Sequence, residues 1–489
     1  MDAVTIRSAK DVTNFINSRT GIRGRAAVIW WLLLSGLFLE ALSNSAMSAG
    51  LSPMTEDLNL SAGEVALLTS LSSWVALFFN PIGGWMADRW GRVKPLIAAK
   101  VLALAGALIA TFADGVFEVS IGRVLVGMAY GIDFAIAMAM LAEFTPKRFS
   151  SRLSMWQGIW YTAVSVNLLL AIVFYQLGTG DAIWRYLLGT CGVVAFILLI
   201  LQSVLLVESP TWLARKNRLA AAAVSMQKTY KQPFTAGEAL NDGPPVANRG
   251  IVNLALIFRG TYLPRTVLAA TVQVVQSIQY FGVGWYLPVI SIALFGDDFV
   301  FNSFGTLIFN IFGIIGGFAA ASLAGRIGLR VASKWGFLIV FVILVIFGFA
   351  HDSLPLWLGF LLPSVFILAH SIGPGGNGKS LSSLSFRSEV RATANGFIGA
   401  IGALGAAIGL VVFPLLREAI GLGGTFLVVS VFPLIAFIIC SVIRWEPTLA
   451  EIDVDNEADA PQFENPDEKS AHLALPEDSK QGEMNEIRR

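Results

Sequence analysis

From Val28 to Val442 the chain is a succession of apolar stretches of about 20 residues, separated by short polar turns. They run approximately over Val28–Ser48, Gly63–Met86, Pro95–Phe112, Val116–Leu141, Leu153–Leu177, Trp184–Val207, Thr266–Ile292, Phe304–Leu323, Val331–Ala350, Leu356–Gly376, Thr393–Leu416 and Thr425–Val442. A helix needs about 20 apolar residues to cross the hydrocarbon layer. Inside lipid every backbone N–H and C=O must be paired within its own segment, so segments of this length are helices. The pattern predicts an all-α polytopic membrane protein with 12 transmembrane helices, set six and six about the polar stretch Glu208–Arg265. With 55% apolar and only 14% charged residues, the chain lacks the charge that a soluble surface of this size needs.

Orientation follows from Lys and Arg. The turns after spans 1, 3, 5, 7 and 9 contain neither, whereas the opposite turns hold Arg89, Arg92, Lys94, Lys147, Arg148, Arg152, Arg326, Arg330, Lys334, Lys379, Arg387 and Arg391. Both termini and the central loop are therefore expected in the cytoplasm, and the protein in the inner or plasma membrane. The domain layout is a cytoplasmic segment 1–27, a six-helix bundle 28–212, a central loop 213–265, a second bundle 266–444 and a tail 445–489. Met1–Arg25 is polar, so no cleaved leader is expected, and its pattern fits a short amphipathic helix on the inner leaflet. The tail is acidic, lacks apolar periodicity and reads as disordered.

Several function classes are disfavoured. A net charge of +1 and no long basic tract in the core give no footprint for nucleic acid. The two cysteines lie in apolar runs and the three histidines show no ligand spacing, so neither metal nor cofactor is expected. Gly373–Ser380 matches Gly-x4-Gly-Lys-Ser literally, but a phosphate loop needs a strand before it, and here a membrane span precedes it. The glycines are better suited to bending or close packing of span 10. The chain reads as a carrier, not an enzyme, and as a monomer in the bilayer.

The dense charged run Gly84-Trp-Met-Ala-Asp88-Arg89-Trp-Gly91-Arg92-Val-Lys94 stands between spans 2 and 3. Its form, Gly-x-x-x-Asp-Arg-x-Gly-Arg-x-Lys, resembles the signature loop of the major facilitator superfamily of transporters. After span 8, Gly325-Arg326-Ile-Gly328-Leu-Arg330 repeats Arg-x-Gly-x-Arg without the Asp. Arg123-x-x-x-Gly127-x-x-x-Gly131, Ala142-Glu143-x-x-Pro146 and Glu208-Ser-Pro-Thr-Trp212-Leu resemble the sugar-porter branch and related metabolite porters. The resemblance covers about Gly36 to Arg444. It implies two six-helix halves alternating around a midplane site.

On that resemblance, Asp88, Arg89, Arg92, Glu143, Arg148, Glu208, Arg326, Glu389 and Arg391 form a gate of ion pairs at one membrane face. Ionisable groups deep in spans are expensive and mark function by default. Glu40, Asp133 and Arg123 are the candidates for proton coupling, and His370 reads as a packing histidine. Glu40 lies roughly 18 Å into span 1 and Asp133 about 15 Å above Glu143, at similar depth. Arg123 is too far along its helix to pair with Asp133, but could reach Glu40 or the level of Ser43. For substrate, Gln273, Gln276, Gln279 and Tyr280 on span 7, Gln157 and Trp160 on span 5, and Asn377 supply amides and aromatic faces suited to a neutral polyol. Departures from the branch stand out: Ser43 where its members carry an acid, Ser150-Ser151 for Arg-Gly, and Asn377 where a Trp stands. The expected function is proton-coupled symport of a small polar metabolite: a sugar, polyol or sugar acid. An organic anion is the alternative substrate, and a membrane sensor that binds without transporting is a third reading.

Overall fold

The structure, a computed structural model, describes residues 3–238, 251–287, 299–350, 353–386 and 390–448. Strand β1 (Val4–Ile6) and helix α1 (Ala9–Ser18) precede the first span, α2 (Arg25–Ala49). The short α3 (Leu51–Asp57) follows, then α4 (Ala62–Trp90), α5 (Val93–Thr111), α6 (Val116–Phe144), α7 (Trp156–Gln176) and α8 (Ile183–Leu205). The connecting segment contains α9 (Pro210–Arg215), α10 (Leu219–Tyr230), β2 (Phe234–Ala236) and α11 (Ile251–Leu256). The second half comprises α12 (Tyr262–Gly282), α13 (Phe299–Ile327), α14 (Leu329–Ala350), α15 (Leu356–His370), α16 (Gly376–Ser385) and α17 (Arg391–Val442). Helix α17 holds two spans, separated at Gly421, whose φ of 74° takes it out of the helical region.

Among the described residues, 11 helical stretches are long and apolar enough to cross a membrane. The twelfth expected span is α12; Arg265 and three glutamines make it less apolar than its neighbours, and nearly all of those side chains' surface is buried. The expected end of that span, 288–292, lies outside the described residues. Large apolar side chains such as Phe78, Phe112, Phe117 and Phe349 point outward, where lipid covers them. The two halves meet closely along α4 and α17 and along α7 and α13. Gly317 comes against the backbone of Gly158, and a Cβ there would overlap the Gly158 amide. Glycine at this crossing lets the halves approach at backbone distance.

Three expectations change. Span 10 does not end at Gly376: α15 continues through one π-helical turn, Ser371–Gly375, into α16, so it reaches Ser385. The Gly- and Ser-rich sequence lowers hydropathy as a loop would, but these small residues face the protein interior. Lys379 is thereby buried in the span rather than placed in a basic turn. The amphipathic helix α1 forms, opened by a Ser8–Asp11 capping box. Its apolar face, Val12 and Ile16, packs on Leu213, Met226 and Phe234 rather than on lipid, and β1 pairs in parallel with β2. Finally, Trp445 and Glu446, assigned to the tail, belong to the C-terminal bundle: Trp445 donates to Ser385 Oγ at 2.8 Å. The rest of the tail, from 449, lies outside the described residues.

Candidate functional site

Helix α7 brings Gln157, Trp160 and Tyr161 to the seam between halves, and α12 brings Gln273, Gln276, Gln279 and Tyr280 from the other side. Trp160 Nε1 donates to Tyr280 Oη at 3.1 Å across the seam. Above this pair a cleft of about 520 Å³, counting its open mouth, is lined by Ala41, Asn44, Val164, Trp285, Thr306 and Asn310, among others. It lies toward the end of the molecule away from the charged loop. Trp160 and Tyr280 form its floor.

One helical turn below the floor sits His370, fully buried and stacked on Tyr280 at 5.4 Å and 17°. Its Nδ1 lies 2.9 Å from the Gln279 amide nitrogen, and its Nε2 lies 3.5 Å from that of Gln157. A neutral imidazole has one N–H and one lone pair. One amide must therefore donate and the other must turn its oxygen to the ring. The closer Gln279 N–H suits the Nδ1 lone pair, leaving Nε2–H to donate to Gln157 Oε1, which has no other partner among the described residues. His370 is thus the hub that holds both amides, a role beyond the packing read from sequence. Gly375 is bare because a Cβ there would meet His370 Nε2 at 2.7 Å and Gln157 Nε2 at 2.9 Å.

The remaining substrate candidates divide. Gln276 donates to its neighbour Ser277 at 2.8 Å. Gln273 packs beneath the glycines of α16 and α17. Asn377 accepts from Ser154 Oγ at 2.8 Å and donates to Leu329 O at 3.1 Å, so it ties helices together rather than facing the cleft.

A second group of buried side chains carries charge. Asp133 forms an ion pair with Lys100 at 2.5 Å. Gly36, one turn before Glu40, makes room for it: a Cβ there would meet Asp133 Oδ2 at 2.9 Å and Lys100 Nζ at 3.1 Å. Glu40, one turn further along α2, is 7% exposed, and its carboxyl and that of Asp133 lie close enough to feel each other's charge. Apart from the Lys100 pair, no donor among the described residues serves their four oxygens. Two ionised carboxylates only repel, so their shared burial becomes favourable when one of them carries a proton. Lys379 completes the cluster from the opposite half. Its ammonium lies 2.6 Å from the centroid of the Phe134 ring and 4.9 Å from that of Trp156. Lys100 was missed in the sequence although the rule that singled out Glu40 applies to it: it is a lone charge inside an apolar run.

Arg123 does not reach Glu40. Its guanidinium donates to Leu68 O at 3.1 Å and to Ser72 Oγ at 2.5 Å, both on α4. Seven residues into α6, it lies far toward the end opposite the charged loop, where α4 is its nearer neighbour.

At the charged end, Arg92 is fully buried and pairs with Glu143 at 2.8 Å and Asp88 at 3.2 Å. Burial works against its charge, but the two carboxylates outweigh that and raise its proton affinity above the ordinary arginine value. Asp88 reaches the other half, accepting from Thr393 Oγ1 at 2.6 Å and Thr393 N at 3.2 Å. Arg391 is close enough to act on Glu143. Of the other gate candidates, Arg89 is exposed and stacks on Trp85, Arg148 bonds to the Arg19 carbonyl, and Arg326 is exposed. These three stay outside the network, because their long side chains reach solvent at the rim. Glu389 lies outside the described residues.

Glu208 accepts from the backbone amides of Arg92 at 2.8 Å and Val93 at 3.2 Å, capping α5. Glu446 does the same for α14, accepting from Leu329 N at 2.9 Å and Arg330 N at 2.8 Å. Gly91 and Gly328 carry φ of 98° and 94°, and a Cβ on either would strike the capping glutamate. The two halves therefore repeat the loop, its glycine and its distant acid. The Glu446 cap was illegible because its partner lies 116 residues away. Glu208→Gln and Glu446→Gln are each expected to cost about 1–3 kcal/mol through weakened capping, read by thermal unfolding in detergent. Unchanged unfolding of both would show that the carboxylates add nothing.

The Major Facilitator Superfamily model matches residues 33–377. The probable metabolite transport protein CsbC of Bacillus subtilis is 24% identical over 421 residues, 84% of this chain and 90% of that protein. The galactose-proton symporter of Escherichia coli is 26% identical over 318 residues, 62% of this chain and 66% of that protein. Among solved structures, the proton:xylose symporter XylE of E. coli, bound to 6-bromo-6-deoxy-D-glucose, superposes with a TM-score of 0.70 at 17% identity, covering 84% of this chain and 94% of that one. With eleven membrane-length apolar helices among the described residues and a family match over most of its length, the chain belongs to the Major Facilitator Superfamily of multi-pass membrane transporters.

Proposed function

We propose that the protein is a proton-coupled symporter of a small polar metabolite, working by alternating access of its two halves with both termini in the cytoplasm. The observation that carries this reading is the burial of two acids, Glu40 and Asp133, at mid-membrane with, among the described residues, the Lys100–Asp133 pair as their one ion pair and no hydrogen-bond donor on Glu40. Lys100 neutralises Asp133, so the shared proton is assigned to Glu40. Arg123, held on α4, positions helices and takes no direct part. The substrate sits where the cleft deepens, with Trp160 and Tyr280 parting to admit it and the Gln157–His370–Gln279 amides binding its hydroxyls. The gate is Asp88–Thr393 with Arg92, Glu143 and Arg391, closed in the present arrangement. The names of the galactose- and xylose-proton symporters support the coupling ion and the metabolite class.

Uptake by purified protein in liposomes, driven by an outward-acid pH difference, tests the reading. Accumulation that collapses with a protonophore is expected, and binding without any uptake would make the protein a sensor instead. Gln279→Ala is expected to weaken substrate binding by about 1–3 kcal/mol, because a buried hydroxyl loses its partner. Equal affinity in Gln279→Ala and Gln157→Ala would move the site away from His370.

A further inference from the structure

The buried charges do not balance within ion pairs. Lys100 and Asp133 cancel at 2.5 Å. Lys379 has, among the described residues, no ion pair or hydrogen bond; its contacts are the faces of Phe134, Trp156 and Tyr130. It is 8% exposed and sits on α16 in one half, while its aromatic cage belongs to the other. The carboxylate that acts on it is Glu40, also in the other half. Aromatic faces offset only part of the cost of desolvating an ammonium. While Glu40 is ionised, the four groups sum to zero. When Glu40 takes the coupling proton, Lys379 is left as an uncompensated buried cation.

We infer that the substrate is a polyhydroxylated monocarboxylate, a sugar acid, whose carboxylate is received by Lys379. The inference rests on the proton-coupled symport reading and narrows its substrate class. Proton and anion then enter together: one neutralises Glu40, the other compensates Lys379. The buried cluster sums to zero in both the empty and the loaded carrier, so neither state reorients with a net charge in the membrane. The amides of Gln157 and Gln279 remain for the hydroxyls. Lys379 leaves the Phe134 face as the halves part, since ring and ammonium come from different halves. A neutral sugar would leave the loaded carrier with one unpaired positive charge.

The test uses purified full-length protein in liposomes with an outward-acid pH difference, valinomycin setting the membrane potential. The probes are D-glucuronate and D-gluconate against D-glucose and D-sorbitol. The acids are expected to accumulate equally with the potential clamped at zero or set inside-negative, because no net charge moves. Lys379→Met is expected to lower acid uptake by about tenfold or more, and Lys379→Arg to retain more than Lys379→Met. The comparison of acids with neutral sugars is made on the unaltered protein, so it does not depend on either variant folding. Accumulation of glucose or sorbitol, rising with an inside-negative potential and with the acids excluded, would overturn the inference and leave the symport reading standing. No pH-driven uptake of any probe would overturn both.

Discussion

Glu40→Gln is expected to abolish accumulation of substrate against its gradient while exchange at equal concentrations on the two sides continues. The amide keeps the volume of the carboxyl and can donate to Asp133, so it mimics the protonated acid permanently. A carrier locked in that state binds and releases substrate but cannot return empty with the proton left behind. Net uptake into empty liposomes should therefore be lost, while labelled substrate still exchanges when both sides are loaded. Asp133→Asn has a different signature: it leaves Lys100 without its 2.5 Å partner, so it should reduce folded protein as well as coupling. Accumulation by both variants would remove the acid pair from the coupling path.

Arg92→Leu is expected to be the most damaging single change to stability. It strands Asp88 and Glu143, each about 95% buried, without their cation. Removing one partner of a buried pair costs about 3–5 kcal/mol. Thermal unfolding in detergent should show the loss, and Glu143→Gln placed on top of it should restore part, because one of the two stranded charges is gone. Melting of Arg92→Leu at the wild-type temperature would reduce the charged loop to a topology signal. Asp88→Asn probes the gate rather than stability: it weakens the one described hydrogen-bonded link from this network to Thr393. Transport should fall while folded protein remains in the membrane.

Much of this was legible in the chain. Hydropathy gave the spans because lipid forces backbone pairing within each one, and Lys and Arg marked one end. The loop motif located Asp88 and Arg92, and the lone acids Glu40 and Asp133 announced themselves by cost. What stayed hidden depends on contacts far apart in sequence. His370 looked like packing because its meaning lies in Gln157 and Gln279 on two other helices. Lys379 looked like a turn residue because small polar neighbours lower local hydropathy whether they face water or protein. Asn377 looked like a binding residue, but Ser154 and Leu329 already occupy its amide. Arg123 was assigned to α2 by depth alone, which leaves open the direction around α6, and that direction leads to α4.

The central claim is that a proton held between Glu40 and Asp133 travels with the substrate. Its most direct measurement is the pH of a weakly buffered medium outside protein-containing liposomes when a transported substrate is added. The account predicts alkalinisation that keeps pace with uptake, about one proton per molecule from a single shared site, and no such change with Glu40→Gln. Substrate uptake by the unaltered protein with the external pH unchanged would contradict it.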